Sequence, residues 1–351
     1  MEDARSNRLT GTQMDSHGYA QALVEPFGPR LPLPELVVAL NRIYHRFEAQ
    51  TYDASHDEIF AQLPALWERM GAVARAIAPA RRWRILDFGC GTGFEAGQIL
   101  RVLGAGSIAS LMCHDPSPEM LARCRERLAA SGANVAFSET PPQEEQFDLV
   151  LTNSLIHHLP SVAAFCRQVR TWLRGGGAWI AGHEPNRACY LNPECVALAR
   201  WLQRRQRLRK AASPAMWLEL VQRRLGLRPT VAERAAEAAV REGLFERRPA
   251  RVAVERLVDF GVPHSEQEAL AGRGISLEAV GDALGAGAEL VWSESYNFMG
   301  AFFEPDPPRA VAARVDRLAA KHPECGAHVA AVWRVAPSAA GDLPPRAESL
   351  R

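Results

Sequence analysis

Between residues 35 and 78, apolar side chains recur at helical spacing: Leu36, Leu40, Ile43, Tyr44 and Phe47, then Ile59, Leu63, Leu66, Met70, Val73 and Ile77. An apolar position every three to four residues marks helices that bury one face. Pro79 closes the region, and the pattern then shortens. Apolar runs at 84–88, 108–114, 135–138, 147–152 and 178–182 predict five strands. Helical patterns fall between them at 94–103, 117–130 and 161–173. Ser117 followed by Pro118 is a helix start, and the glycines at 104, 106 and 175–177 are stops. Strands alternating with helices imply a parallel sheet covered on both faces.

The alternation breaks at Pro185. Residues 188–288 read as mostly helical: 194–210, a start at Ser213-Pro214, a capping box Thr230-Val231-Ala232-Glu233 opening a helix that ends at Gly243, and a start at Ser276. A strand at 289–298, a helix at 308–320 and a strand at 328–335 complete the pattern. The chain therefore divides into a loose arm (1–34), a helical cap (35–80), a core (81–187), an inserted helical lid (188–288), the last core strands (289–336) and a loose tail (337–351). The predicted fold is α/β: a Rossmann-like, seven-stranded, mostly parallel sheet with an N-terminal helical cap and an inserted helical lid.

Composition narrows the function classes. Hydrophobic residues make up 47% and charged residues 23%, which excludes disorder as the main state. Forty-one basic and 40 acidic residues give a net charge of +1, so no general attraction to nucleic acid or membrane is expected. Only Lys210 and Lys321 are lysines, a skew that GC-rich coding explains. The seven cysteines include no Cys-x-x-Cys pair, which points to reduced thiols and neither a disulfide frame nor a zinc site. The start Met1-Glu2-Asp3-Ala4-Arg5 has no apolar leader behind it, and no run is long enough to span a membrane. A cytoplasmic protein without a metal is expected, and a homodimer through the lid is one option for its assembly.

The strongest chemical signal is Asp87-Phe88-Gly89-Cys90-Gly91-Thr92-Gly93, between a strand and a helix. Glycines there let the backbone approach a ligand, and the helix start offers free amides. A phosphate-binding P-loop would need Gly-Lys-Ser/Thr, and a dinucleotide loop a glycine where Phe94 stands. The pattern acidic-x-Gly-x-Gly-x-Gly matches without departure. With His114-Asp115-Pro116-Ser117 after the second strand, Phe147-Asp148-Leu149-Val150, His157-His158-Leu159 and Leu173-Arg174-Gly175-Gly176-Gly177 in order, the sequence resembles the class I S-adenosylmethionine (SAM)-dependent methyltransferases.

That resemblance implies SAM as cofactor and S-adenosylhomocysteine (SAH) as product. It implies that the backbone of Gly89, Cys90, Gly91 and Gly93 passes under the methionine part, and that Asp87 helps hold the ammonium group. Asp115 would accept the two ribose hydroxyls, Pro116 would pack on adenine, Glu139 would reach the adenine amino group, and Asn153 would lie near the sulfonium.

On the acceptor side, His157 and His158 could supply a general base or shape the loop beside the cofactor. His183 and Glu184 leave the fifth strand at the edge where parallel sheets bind ligands. Adjacent strand residues point to opposite faces, so one of the two is expected to face the substrate. Six positive charges between Arg200 and Lys210, Arg204 among them, could grip an anionic group or simply form a solvated helix face. Trp217, His264, Glu294 and Tyr296 are further pocket candidates. The reading is methyl transfer to a small molecule of specialised or lipid-associated metabolism, with O-methylation preferred and C-methylation next. The rivals are a SAM-binding protein that catalyses a rearrangement or has only a binding role, and an RNA or protein methyltransferase.

Overall fold

The computed structural model describes residues 16–77, 82–143, 145–211 and 229–336. The long helices that come first are α1 (Ser16–Val24), α2 (Leu33–Glu48) and α3 (Asp57–Ile77), with a four-residue helix, Tyr52–Ser55, before α3. The core follows as β1 (Trp83–Phe88), α4 (Phe94–Leu103), β2 (Ile108–His114), α5 (Pro118–Leu128), β3 (Val135–Ser138), β4 (Phe147–Asn153), α6 (Val162–Trp172) and β5 (Leu173–Pro185). Then come α7 (Pro193–Ala211), α8 (Val231–Arg241), α9 (Arg251–Val258), α10 (Leu277–Leu284), β6 (Ala288–Tyr296), α11 (Arg309–Lys321) and β7 (His328–Val335). The helix starts carry their sequence signals. The Ser117 hydroxyl accepts the Met120 amide, and Thr230 and Glu233 form a complete capping box.

The seven strands form one sheet in the order β3-β2-β1-β4-β5-β7-β6, with β7 antiparallel to both neighbours and the other pairs parallel. Every residue of β4 is buried, as a central strand covered on both faces requires. Pairing of Phe88 with His114 and of Asn153 with Gly182 aligns the carboxyl ends of β1, β2, β4 and β5 along one edge.

The helical segments divide differently from the sequence reading. Residues 16–27, expected in the loose arm, form α1 and a short 3-10 turn, with Ala20 and Val24 buried. α3, expected in the cap, packs on the sheet beside α4: Leu63, Leu66, Trp67 and Met70 are fully buried among Ile85, Leu111 and Val332. Each such side chain contributes about 1.5–3 kcal/mol by leaving water. The segment expected to be one lid is split three ways. α10 joins α6 on the opposite sheet face, α7 packs on Met299, Val311 and Leu318, and α8 and α9 share a core with α1 and α2. The cover over the carboxyl edge is thus one helical unit drawn from two separate stretches of the sequence, residues 16–48 and 231–258. The helix start expected at Ser213 and the tail from 337 lie outside the described residues.

Candidate cofactor and acceptor site

The glycine loop is held by backbone bonds to the end of β2: the amides of Gly89 and Cys90 both donate to the His114 carbonyl, at 2.8 and 2.9 Å. Gly91 has φ +51°, and a Cβ there would meet nothing within 4 Å. The loop therefore presents bare backbone to open space, in a left-handed conformation that L side chains rarely adopt. Cys90 contributes only its backbone to this surface; its side chain turns into the core beside Cys113 and Cys124.

Two carboxylates flank the loop. Asp87 is 1% exposed, and neither of its oxygens has a hydrogen-bond partner among the described residues. Burial, reinforced by the nearby Glu95, pushes its carboxyl well above the usual range. An ammonium ion beside it would satisfy both oxygens and reverse that shift. Asp115 accepts the Gly91 amide at 3.0 Å and the Ser117 amide at 2.9 Å, one on each oxygen, which leaves a lone pair on each for a vicinal diol. A bare loop, an orphaned buried carboxylate and a two-oxygen acceptor fit the methionine and ribose parts of SAM. Pro116 and Glu139 are exposed beside this end, and Asn153 is buried at the end of β4 with its Oδ1 unpartnered among the described residues. His114 is a feature the motif reading passed over. It stacks on Phe88 at 4.2 Å, and burial lowers its pKa to about 4, so it is neutral.

The remaining candidate residues of the carboxyl edge are built around β5. The β5–β7 register skips between Ala181 and Glu184, and His183 sits in this bulge with φ +54°. Its Nδ1 hydrogen-bonds the Tyr296 hydroxyl at 3.0 Å, and its ring stacks on His328 at 3.9 Å. Burial first, then the neighbouring His328 and His157, hold His183 well below the ordinary histidine range. Non-glycine residues at positive φ persist where the surroundings over-determine them, often at functional sites.

Glu184, a candidate proton acceptor in the sequence, has another role here. Its Oε1 accepts the amides of Leu155 and Ile156 at 2.8 and 2.9 Å; its Oε2 accepts the His157 amide at 3.3 Å and meets His157 Nδ1 at 2.8 Å. A carboxylate engaged four times and 1% exposed positions the 155–158 turn and holds its lone pairs inside the fold. His158 Nδ1 donates to the Val258 carbonyl at 2.6 Å, and burial keeps the ring neutral. The Gly261 amide donates to the His157 carbonyl at 2.6 Å, and a Cβ at 261 would lie 3.0 Å from His157 Cα, so this contact needs glycine.

The cover supplies groups that motif reading missed. From α2, Tyr44 and His45 face the same edge, and the His45 ring meets that of His158 at 5.2 Å. Glu48 bonds His45 at 3.0 Å and His56 at 3.4 Å. Thr92 of the glycine loop donates to Asp53 at 2.7 Å, and Arg127 also pairs with Asp53. Asp259 follows α9, within 4.0 Å of His158 Nδ1. The one advance signal was polarity on a buried helix face, as at Glu48.

Among the described residues the remaining candidates lie apart from these groups, Tyr296 excepted. Glu294 makes a bidentate ion pair with Arg69 of α3, both oxygens at 2.7 Å. His264 and Arg204 are exposed, while Arg205 and Arg209 of the basic run both pair with Glu304. Trp217 lies outside the described residues.

Residues 86–179 match the family model of the methyltransferase domain. A tRNA U34 carboxymethyltransferase of Shewanella denitrificans is 33% identical over 183 residues, covering 50% of this chain and 54% of that protein. A ubiquinone biosynthesis O-methyltransferase of Azorhizobium caulinodans is 28% identical over 120 residues, covering 33% and 46%. The chain thus spans about half the length or less of these curated relatives. A solved SAM-dependent methyltransferase of Mesorhizobium loti aligns with TM-score 0.38 and 17% identity over 75% of this chain and 96% of that one. The sheet order, the glycine loop and the family match together define a class I methyltransferase core. The chain carries a SAM-dependent methyltransferase domain, and SAM is the cofactor of that domain. No helix among the described residues is long and apolar enough to cross a membrane.

Proposed function

We propose that this protein transfers the methyl group of SAM to a small-molecule acceptor enclosed beneath α2 and the 258–261 segment, with oxygen the preferred acceptor atom and carbon next. The observation that carries this reading is the burial of the carboxyl edge. Asp115, Asn153, His157, His183 and Glu184 are each less than 9% exposed, covered by helices that share their own hydrophobic core. A buried, water-poor edge suits in-line displacement of a small nucleophile.

SAM supplies an already activated methyl group, so the protein's work is alignment. Asp87, the glycine loop and Asp115 fix the cofactor's two ends. Glu184 sets the turn carrying His157 and His158. The neutral imidazole of His183 orients the acceptor and can take its proton, and His158 lies beside it in the same cleft. An RNA acceptor is the second reading, favoured by the match to a tRNA-modifying relative. It requires the α2–α9 cover to move aside.

The test is incubation with SAM and a cellular metabolite extract or, separately, total tRNA. The expected result is SAH together with a metabolite heavier by one methylene unit. Methylated tRNA with no methylated metabolite would favour the second reading. SAM bound without SAH formation would refute both.

A further inference from the structure

We propose that His157, His158 and Asp259 form a binding site for one divalent transition metal ion at the acceptor end of the cleft. The three side chains each bring a ligand atom to within 4.8 Å of the other two. Two imidazoles and one carboxylate are a donor set suited to Fe2+, Co2+ or Zn2+. Metal–nitrogen and metal–oxygen bonds of about 2.0–2.2 Å need only a modest closing of this triangle.

The support behind the His157 ligand is already in place. A metal-bound histidine usually commits its second ring nitrogen to a carboxylate or a backbone carbonyl, which fixes the ring and its tautomer. His157 Nδ1 is held by Glu184 at 2.8 Å, and His158 Nδ1 by the Val258 carbonyl at 2.6 Å. The His157 ring therefore keeps Nε2 for an ion, while the His158 nitrogen facing Asp259 is Nδ1, 4.0 Å from its Oδ1, so His158 would exchange its bond to the Val258 carbonyl for the ion. The two rings lie 4.1 Å apart between centroids, and backbone hydrogen bonding of Gly261 to His157 locks the segment that carries Asp259 against the histidine turn.

The position has chemical meaning if the chamber is an acceptor site, so this inference rests on the proposed methyl transfer. Three protein ligands leave coordination positions open. An oxygen of the acceptor bound there would be anchored, and its hydroxyl made more acidic, beside the end of β4 where the sulfonium is expected. The acceptor class implied is a small molecule with an oxygen donor able to ligate a metal.

The experiment uses chelator-treated full-length protein titrated with Co2+, followed by visible absorption and calorimetry. One equivalent should bind, with ligand-field bands distinct from the aquo ion. Asp259→Asn and His158→Ala should each weaken binding at least 100-fold, and Glu184→Gln about 10–100-fold through the His157 ring. His264→Ala, on an exposed loop, should leave it unchanged. Asp259→Asn disturbs none of the hydrogen bonds described above, so circular dichroism and SAH titration serve as its folding controls. No bound Co2+ in protein that still binds SAH, or undiminished binding in folded Asp259→Asn, would overturn the metal site and leave methyl transfer standing. Loss of SAH binding by the wild-type protein would strike the methyltransferase reading itself.

Discussion

Replacing Glu184 with glutamine separates a positioning carboxylate from a proton-accepting one. The native side chain accepts four hydrogen bonds, two on each oxygen, from a site 1% exposed. Glutamine keeps one acceptor oxygen, which the amides of Leu155 and Ile156 can retain. Its NH2 then faces the His157 amide, donor against donor, and His157 Nδ1 loses its charged partner. A lost bond to a buried charge costs about 1.5–3 kcal/mol and an ordinary one about 1 kcal/mol, so a destabilisation of about 2–4 kcal/mol is expected. Urea unfolding followed by circular dichroism measures it, and nitrogen-15 NMR of labelled histidine reports the His157 tautomer. Turnover should fall with the misplaced turn. SAH affinity should change less than about threefold, since Glu184 makes no bond to the glycine loop. A stability change under about 0.5 kcal/mol with an unaltered His157 tautomer would refute the positioning argument.

Other expectations follow from the same geometry. Asp115→Ala removes the partner of two backbone amides and the diol acceptor, so SAH affinity should fall at least about 100-fold, or about 2.7 kcal/mol; calorimetry showing an unchanged Kd would contradict the cofactor assignment. Burial raises the pKa of Asp87, and a bound ammonium lowers it, so SAH binding should release protons. Binding enthalpies that do not differ between buffers of unlike ionisation enthalpy would count against that pairing. Burial alone would raise the Glu48 carboxyl, but hydrogen bonds from His45 and His56 outweigh it and hold the pKa at about 2, below the usual 4.5. Its contribution, at most about 3 kcal/mol, is present above pH 4.5 and is lost as pH falls towards 2. Glu48→Gln should therefore flatten the acid limb of the stability curve between those values, and an unchanged limb in denaturant titrations would exclude the linkage.

The core was legible because its signals are local. β1, the glycine loop and α4 are contiguous, and their pattern of strand, glycines and helix start reports backbone geometry directly. Ser117-Pro118 and the Thr230–Glu233 box mark helix starts by hydrogen bonds within one turn. Apolar periodicity shows that a helix buries a face and leaves open which surface it meets. α3 has the same pattern as α2, yet one packs on the sheet and the other on α8 and α9. The basic run of α7 suggested an anion grip, and Glu304, about a hundred residues away in sequence, takes two of its arginines. The pairing of Glu294 with Arg69 was equally invisible, since the two stand 225 positions apart.

By itself, then, the sequence determined the parallel sheet and the cofactor loop, where neighbouring residues set the backbone path. The tertiary structure decided the surroundings of His157, His183 and Glu184. It turned Glu184 inward to brace the His157 turn, placed His183 in a strained bulge against Tyr296, and brought His45, Glu48 and Asp259 to the same edge from helices some two hundred residues apart. Such a site is a product of long-range packing, because its members share no local pattern and meet only when separate apolar faces find their partners.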